Sequence, residues 1–172
     1  MTPELNLSWI DGSLAVGGRF PMEAAAHLAQ RLGIRRIVDL REECCDDAEV
    51  LRSHGILLLE LPTRDMCGVS QSMLDQGVRW VREQLDDGHR VYVHCEHGIG
   101  RSVLLALCVL VARGRPPLDA LELVKQARWQ ASPSREQLEA FREFVRRRTE
   151  HAVPAIDELC AISWRHLQGS GS

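Results

Sequence analysis

Between Val103 and Ala112 the chain runs through valine, leucine, alanine and cysteine without one polar residue. A helix built from such a run is apolar nearly all round and must be buried. The run covers only about half of the ~20 residues that a membrane crossing requires. It therefore predicts a central core helix, and it fixes where the interior lies. At 172 residues the chain fits one domain. Its 45% hydrophobic and 26% charged residues are those of an ordinary soluble globule, without a low-complexity tract or an internal repeat. The formal charge of −3 leaves no basic footprint for nucleic-acid binding.

On either side of the apolar run, short hydrophobic stretches alternate with amphipathic helical patterns. This predicts an α/β fold, a single domain over residues 1–168 with a central, mainly parallel sheet of four to five strands flanked by helices. Strands are expected at Trp9-Ile10, at Leu14 to Val16 beyond the Asp11-Gly12 turn, at Ile34 to Leu40, at Ile56 to Leu61 and at Arg90 to His94. Helices are expected from Pro21 to Leu32, closed by Gly33, and from Asp46 to His54, closed by Gly55. Ser72 and Asp75 read as a capping box for a helix ending before Gly88. Further helices are expected from Ser102 to Ala112, Pro117 to Trp129 and Pro133 to Arg148, the last closed by the solvated run Arg146-Arg147-Arg148. A C-terminal helix follows on Ile156, Leu159, Cys160, Trp164 and Leu167, and 169–172 is expected to be a disordered tail or an expression remnant. Met1 to Trp9 has no apolar core of a signal peptide, so a cytoplasmic protein without an integral membrane segment is expected.

The stretch that carries chemistry lies directly before the apolar helix: His94-Cys95-Glu96-His97-Gly98-Ile99-Gly100-Arg101-Ser102. A strand ends at His94 and a helix begins near Arg101. Between them, successive backbone N–H groups of Glu96, His97, Gly98, Ile99 and Gly100 are placed to form an anion nest, with the helix N-terminus adding positive charge. Gly98 and Gly100 allow the close backbone approach that such wrapping demands. Arg101 supplies a planar fork for two phosphate oxygens. The same field favours the thiolate of Cys95, because helix termini and adjacent cations acidify thiols. Ser102 is placed to donate to that sulfur, and His94 to orient the loop and tune the thiol.

The pattern His94-Cys95-x-x-Gly98-x-x-Arg101-Ser102 resembles the signature of the protein tyrosine phosphatase superfamily, specifically its dual-specificity branch. Leu14-Ala15-Val16-Gly17-Gly18, Ile37-Val38-Asp39-Leu40-Arg41 and Ser132-Pro133-Ser134 extend the likeness over most of the chain. The resemblance implies a cysteinyl-phosphate intermediate, no cofactor and no metal, and a phosphorylated protein or small phosphate ester as partner. It also implies a general acid on a loop upstream of the nucleophile. Asp65, in Leu61-Pro62-Thr63-Arg64-Asp65-Met66, occupies that place, and loops that follow parallel strands open on one edge of the sheet. Asp75 is the other candidate and reads as a helix cap. The Trp-Pro-Asp run common in the family is absent.

The loop interior narrows the substrate. Lipid-directed members that take polyphosphorylated inositols carry basic residues after the nucleophile, whereas Glu96 stands here and would repel extra phosphates. His97 reads either as a substrate contact or as a solvated loop residue. Tyr92, the single tyrosine, lies in the strand and reads as core, leaving no tyrosine to deepen the pocket. A shallow pocket open to phosphoserine, phosphothreonine and phosphotyrosine follows. Thr63-Arg64-Asp65-Met66 also resembles the loop of mitochondrial-type lipid phosphate phosphatases, so monophosphorylated lipids stay open. A phosphate-binding module without catalysis, and rhodanese-like sulfur or arsenate chemistry, are the other classes. Six irregularly spaced cysteines do not form a disulfide framework. Cys45 or Cys67 is a candidate partner for oxidised Cys95, Cys108 is packing, and zinc on Cys44, Cys45, Cys95 and His97 is disfavoured by Arg101. Oligomeric state is not legible.

Overall fold

A computed structural model of the chain describes residues 3–169. Five strands form one sheet in the order β1-β2-β5-β3-β4: β1 Leu7–Trp9, β2 Leu14–Gly17, β3 Ile34–Arg41, β4 Leu57–Thr63 and β5 Arg90–His94. Only the β1–β2 pair is antiparallel; β2, β5, β3 and β4 run parallel. The central strand β5 is buried on both faces, and its residues alternate as the pleat requires. Val91 and Val93 enter one core, while Tyr92 enters the other.

The larger core lies between the sheet and the helices α3 Gln71–Asp86, α4 Arg101–Ala112, α5 Pro117–Ala127, α6 Arg135–Arg148 and α7 Ile156–Ser163. At its centre α4 is buried from Arg101 to Val111, as its unbroken apolar sequence demands. Truncating a side chain such as the fully buried Leu107 to alanine would cost ~2–5 kcal/mol. The smaller core, on the opposite face, takes Leu28 of α1 Ala25–Gln30 and Leu51 of α2 Ala48–Ser53 against Ile34, Ile37 and Tyr92.

Several boundaries shift for local reasons. The cap of α3 is Ser70, which accepts from the Met73 N–H, rather than Ser72. Asp75 is no cap: it faces α6 and pairs with Arg147 and Arg148, so two of the three arginines at that helix end hold a neighbour. The expected Pro21–Leu32 helix is a 3-10 turn at Met22–Ala24 followed by the short α1. Strand β4 runs on through Pro62 and Thr63, residues expected in the loop. Ser134 caps α6 through a capping box with Gln137. Among the described residues no helix is long and apolar enough to cross a membrane. Of the tail expected at 169–172, Gly169 is described and lies in a turn, and 170–172 lie outside the described residues.

Candidate active site

Three loops leave the sheet at the C-terminal ends of β3, β4 and β5, and parallel pairing brings them to one edge. They carry Glu43, Asp65 and Cys95 respectively. Glu42, Glu43, Arg64, Asp65 and Glu96 line a shallow cleft of about 460 Å³ there.

The loop from Cys95 to Gly100 is held from outside, carbonyl by carbonyl. The Cys95 carbonyl lies 3.2 Å from His94 Nδ1. The Glu96 carbonyl accepts from the Arg19 N–H at 3.0 Å, and that of His97 from Arg128 at 2.9 Å and Asn6 Nδ2 at 3.1 Å. Arg128 Nε also donates to the Gly98 carbonyl at 2.6 Å. Ile99 accepts from the Ser132 N–H and Gly100 from the Leu104 N–H, both at 2.9 Å. A trans peptide sets its N–H opposite its carbonyl, so the N–H groups of this loop turn toward the inside of the ring. Among the described residues none of the N–H groups from Glu96 to Gly100 has an acceptor within the protein. The result is a ring of inward-turned N–H groups, the geometry an anion nest requires.

Gly98 is required twice over. Its φ of +70° is left-handed, and a Cβ there would lie 2.4 Å from the Gly17 carbonyl carbon. Gly100 has an ordinary φ, and its need is space beside the Gln137 amide.

Cys95 is 3% exposed at the floor of this ring, its sulfur 3.3 Å from the Ser102 hydroxyl. That hydroxyl also donates to the Gly17 carbonyl at 3.4 Å, so it links the sulfur to the end of β2. His94 reaches the Cys95 carbonyl rather than its sulfur, and its other ring nitrogen lies 2.6 Å from Asp46.

Arg101, 1% exposed, differs from the expected free fork. One terminal nitrogen donates to the Thr63 carbonyl at 2.7 Å and to Glu43 at 2.8 Å. The other donates to Glu43 at 2.6 Å and lies 3.5 Å from Asp65. Its buried Nε–H has no acceptor among the described residues, leaving a donor in the interior for a bound oxyanion. The hydrogen bond from Arg101 holds the Glu43 carboxyl down at about 2. Burial works against the charge of Arg101, but Glu43 and neighbouring anions outweigh it and raise its pKa.

Asp65 is 62% exposed and accepts from the Met66 N–H at 2.9 Å. Met66 is the one non-glycine with positive φ among the described residues. Glu96, expected to repel extra phosphates, has its carboxylate engaged by Arg41 at 3.3 Å and Arg19 at 3.1 Å, which offsets that charge. Its place in the anion ring is through its backbone, as for Ile99. The His97 side chain is exposed. Tyr92 is core, as expected, and burial raises its phenol above the ordinary range. All six cysteines are free, with Cys44 and Cys45 exposed, Cys67 half-buried and Cys108 buried.

The residues that hold the catalytic candidates were not singled out by the sequence. Glu43 follows no motif, and Arg128 reads as the end of α5. The signal for Asp39 and Arg41 was present: two opposite charges at i and i+2 share one face of a strand that is otherwise apolar. Asp39 with Asp46 and His94 forms a buried set of metal-ligating types. Arg41 lies 3.0 Å from both carboxylates and already supplies the cation, so a metal does not fit.

Known proteins resemble this chain in sequence and in fold. A family model described as "PTP-SAK: Swiss Army Knife protein, DSP-PTPase phosphatase domain" matches residues 4–155. The mouse phosphatidylglycerophosphatase and protein-tyrosine phosphatase 1 is 27% identical over 151 residues, 84% of this chain and 78% of the relative. The Arabidopsis thaliana phosphatidylglycerophosphate phosphatase PTPMT1 is 29% identical over 115 residues, 64% of this chain but 34% of the relative. The chain thus matches about a third of that longer protein. Among solved structures, Tk-PTP in the active form superposes with a TM-score of 0.76 at 27% identity, covering 83% of this chain and 97% of that one. PTPMT1 in complex with PI(5)P superposes with a TM-score of 0.77 at 24% identity, covering 82% and 95%, a likeness of fold.

Proposed function

The chain belongs to the DSP-PTPase phosphatase family of the cysteine-dependent protein tyrosine phosphatases, and from that premise we propose that it hydrolyses phosphate monoesters through a cysteinyl-phosphate intermediate at Cys95. The observation that carries this reading is the ring of outward-held carbonyls around the Cys95 sulfur, with the buried Nε–H of Arg101 beside it. Preorganised donors aimed at developing charge cost no reorganisation during reaction.

In the first half-reaction the Cys95 sulfur attacks phosphorus and the ester P–O bond breaks. Asp65 gives its proton to the departing oxygen. In the second, Asp65 takes a proton from water, the water oxygen attacks phosphorus, and the S–P bond breaks to release phosphate. Ser102 steadies the sulfur as it leaves, and Arg101 follows the phosphoryl oxygens. Because both terminal nitrogens of Arg101 already contact Glu43, an incoming phosphate first engages Nε and then shares the Glu43-bound edge.

The substrate reading is phosphotyrosine and phosphoserine or phosphothreonine in proteins. The cleft is shallow, and Tyr92 is withdrawn into the core, so no aromatic wall selects the longer phosphotyrosine. A second reading, monophosphorylated lipids, is supported by the likeness to the mouse phosphatase over 84% of this chain. The exposed Met66 and Ile99, on the two loops that bear Asp65 and Cys95, favour it as well.

Hydrolysis of p-nitrophenyl phosphate by the wild type and Cys95→Ser, with chelator present, tests the chemistry. Metal-independent turnover that vanishes in the variant while vanadate still binds is the expected result. Persistence of turnover in Cys95→Ser would overturn the cysteine mechanism. Phosphopeptides and phosphatidylglycerophosphate in mixed micelles, assayed side by side, separate the two substrate readings by kcat/KM.

A further inference from the structure

Behind the phosphate loop lies a buried cluster that meets the cleft lining through Glu96 alone: Asp39 and Arg41 at the end of β3, Asp46 before α2, and His94 at the end of β5. Asp39, Arg41, Asp46 and His94 are each buried, with 1%, 7%, 5% and 0% of their surface exposed. Arg41 donates through Nε and one terminal nitrogen to Asp39 and through that same nitrogen to Asp46, all at 3.0 Å. Its remaining nitrogen reaches Glu96. Burial opposes the charge of Arg41, but the bonds to Asp39 and the fields of Asp39 and Asp46 raise its pKa, so it stays cationic.

The His94 ring meets an acceptor at each end: Asp46 Oδ2 at 2.6 Å from Nε2 and the Cys95 carbonyl at 3.2 Å from Nδ1. Neither oxygen has a proton to give when Asp46 is ionised. A ring with one proton would set a lone pair against one of them, whereas a ring with two satisfies both. The 2.6 Å contact has the length of a charge-assisted bond. Charge accounting agrees. Two buried carboxylates beside one arginine leave an uncompensated anion, and a second cation at His94 makes the set neutral. The other groups against the ring are Tyr92, stacked at 5.5 Å with its phenol neutral, and Phe20, edge-on at 5.2 Å. Asp39 lies 4.0 Å from Nε2. Asp46 is not consumed by capping α2, because its neighbour Asp47 accepts from the Glu49 and Val50 N–H groups.

We propose that Asp46 is a positioning residue of the phosphate loop: it holds His94 with both ring nitrogens protonated, so that a fixed cation stands behind Cys95. The same contact pins the Cys95 carbonyl outward and thereby turns the Glu96 N–H into the anion ring. This rests on the phosphatase reading only for its consequence in turnover; the protonation of His94 and the reactivity of Cys95 are measurable without any substrate.

Two experiments test it. In the wild type, long-range proton–nitrogen correlation spectra at pH 7 are expected to show both His94 ring nitrogens protonated; one bare nitrogen would overturn the proposal. Alkylation of Cys95 by iodoacetamide, followed by peptide mass spectrometry between pH 5 and 8, is compared for wild type, Asp46→Asn and Asp47→Asn. Asp46→Asn is expected to displace the alkylation profile upward by about one pH unit, a rate about tenfold lower at pH 6. Asp47→Asn, which removes an equal charge one residue away, is expected to leave the profile in place. A folded Asp46→Asn with the wild-type profile would overturn the proposal. Should Asp46→Asn not fold, the wild-type spectrum alone decides. A shifted profile in a protein without phosphatase activity would keep the Asp46 assignment and remove the functional reading instead.

Discussion

The loop of Cys95 and the loop of Asp65 sit on the same edge of the sheet, yet they are held in opposite ways. From Cys95 to Gly100 every backbone carbonyl has a donor, and two of the side chains that supply them, His94 and Arg128, are themselves buried. From Arg64 to Gly68 the chain is held chiefly from α6: the Ser134 hydroxyl donates to the Met66 carbonyl at 2.7 Å and Gln137 to that of Cys67 at 3.3 Å. Asp65 and Met66 are mostly exposed. The difference matches the two tasks proposed for these loops. A nest for an oxyanion loses its value if any donor swings outward, because its field must be in place before charge develops. A proton donor has to meet leaving groups of different size, and an exposed, sparsely tethered loop is free to do so. Arg101 joins the two regions, since it begins α4 and also contacts Thr63, Glu43 and Asp65.

The sharpest way to break the contrast is to free the rigid loop. Arg128→Met removes the donor to the Gly98 carbonyl, which is left unpaired, and one of the two donors to that of His97, which keeps Asn6. It should cost ~3 kcal/mol of stability. At temperatures where the variant is folded, turnover should fall with vanadate affinity, because the damage is to the cradle. Retained vanadate affinity would mean the loop does not depend on Arg128.

Asp65→Asn acts on the exposed loop and should leave folding and vanadate affinity unchanged. A positioned acid contributes ~10²–10⁴-fold, and that loss should appear on phosphoserine peptides. p-Nitrophenyl phosphate, whose leaving group needs little proton assistance, should lose far less. Equal losses on both esters would show that Asp65 is not the acid.

The smallest effect concerns the bridge between the regions. Glu43 is held near 2 against its ordinary 4.5 by the hydrogen bond from Arg101. A carboxyl whose folded value is depressed contributes stability above its unfolded value and loses it as pH falls toward the folded one. Glu43→Gln should therefore melt below the wild type at pH 5, and the gap should close as pH drops from about 4.5 toward 2. Glu43 is partly solvated, so the shift in melting temperature is expected to be small.

Much of this molecule was legible in the sequence because local chemistry carried it. The apolar run after Arg101 announced the central helix, and the Cys95-to-Ser102 spacing announced a tight loop at its start. Asp65 was singled out through its position after a strand, and the fold sets it 3.5 Å from Arg101. The cap at Ser70 was missed because Ser72 lay in an equally good frame, and which serine leads the helix depends on where β4 ends. Asp75 was misread because its partners, Arg147 and Arg148, lie more than seventy residues away.

The division has one physical cause. Periodicity, the glycine at a left-handed φ and the Cys95–Arg101 spacing are properties of neighbouring residues, and these determined the sheet, the buried helix and the nest. Glu43 on Arg101, Arg128 on the loop carbonyls and Asp46 on His94 join residues about thirty to sixty apart. No local preference encodes such pairs. Only strand order and helix packing, which bring β3, β5 and the end of α5 around one loop, decided which charges stand behind the cysteine.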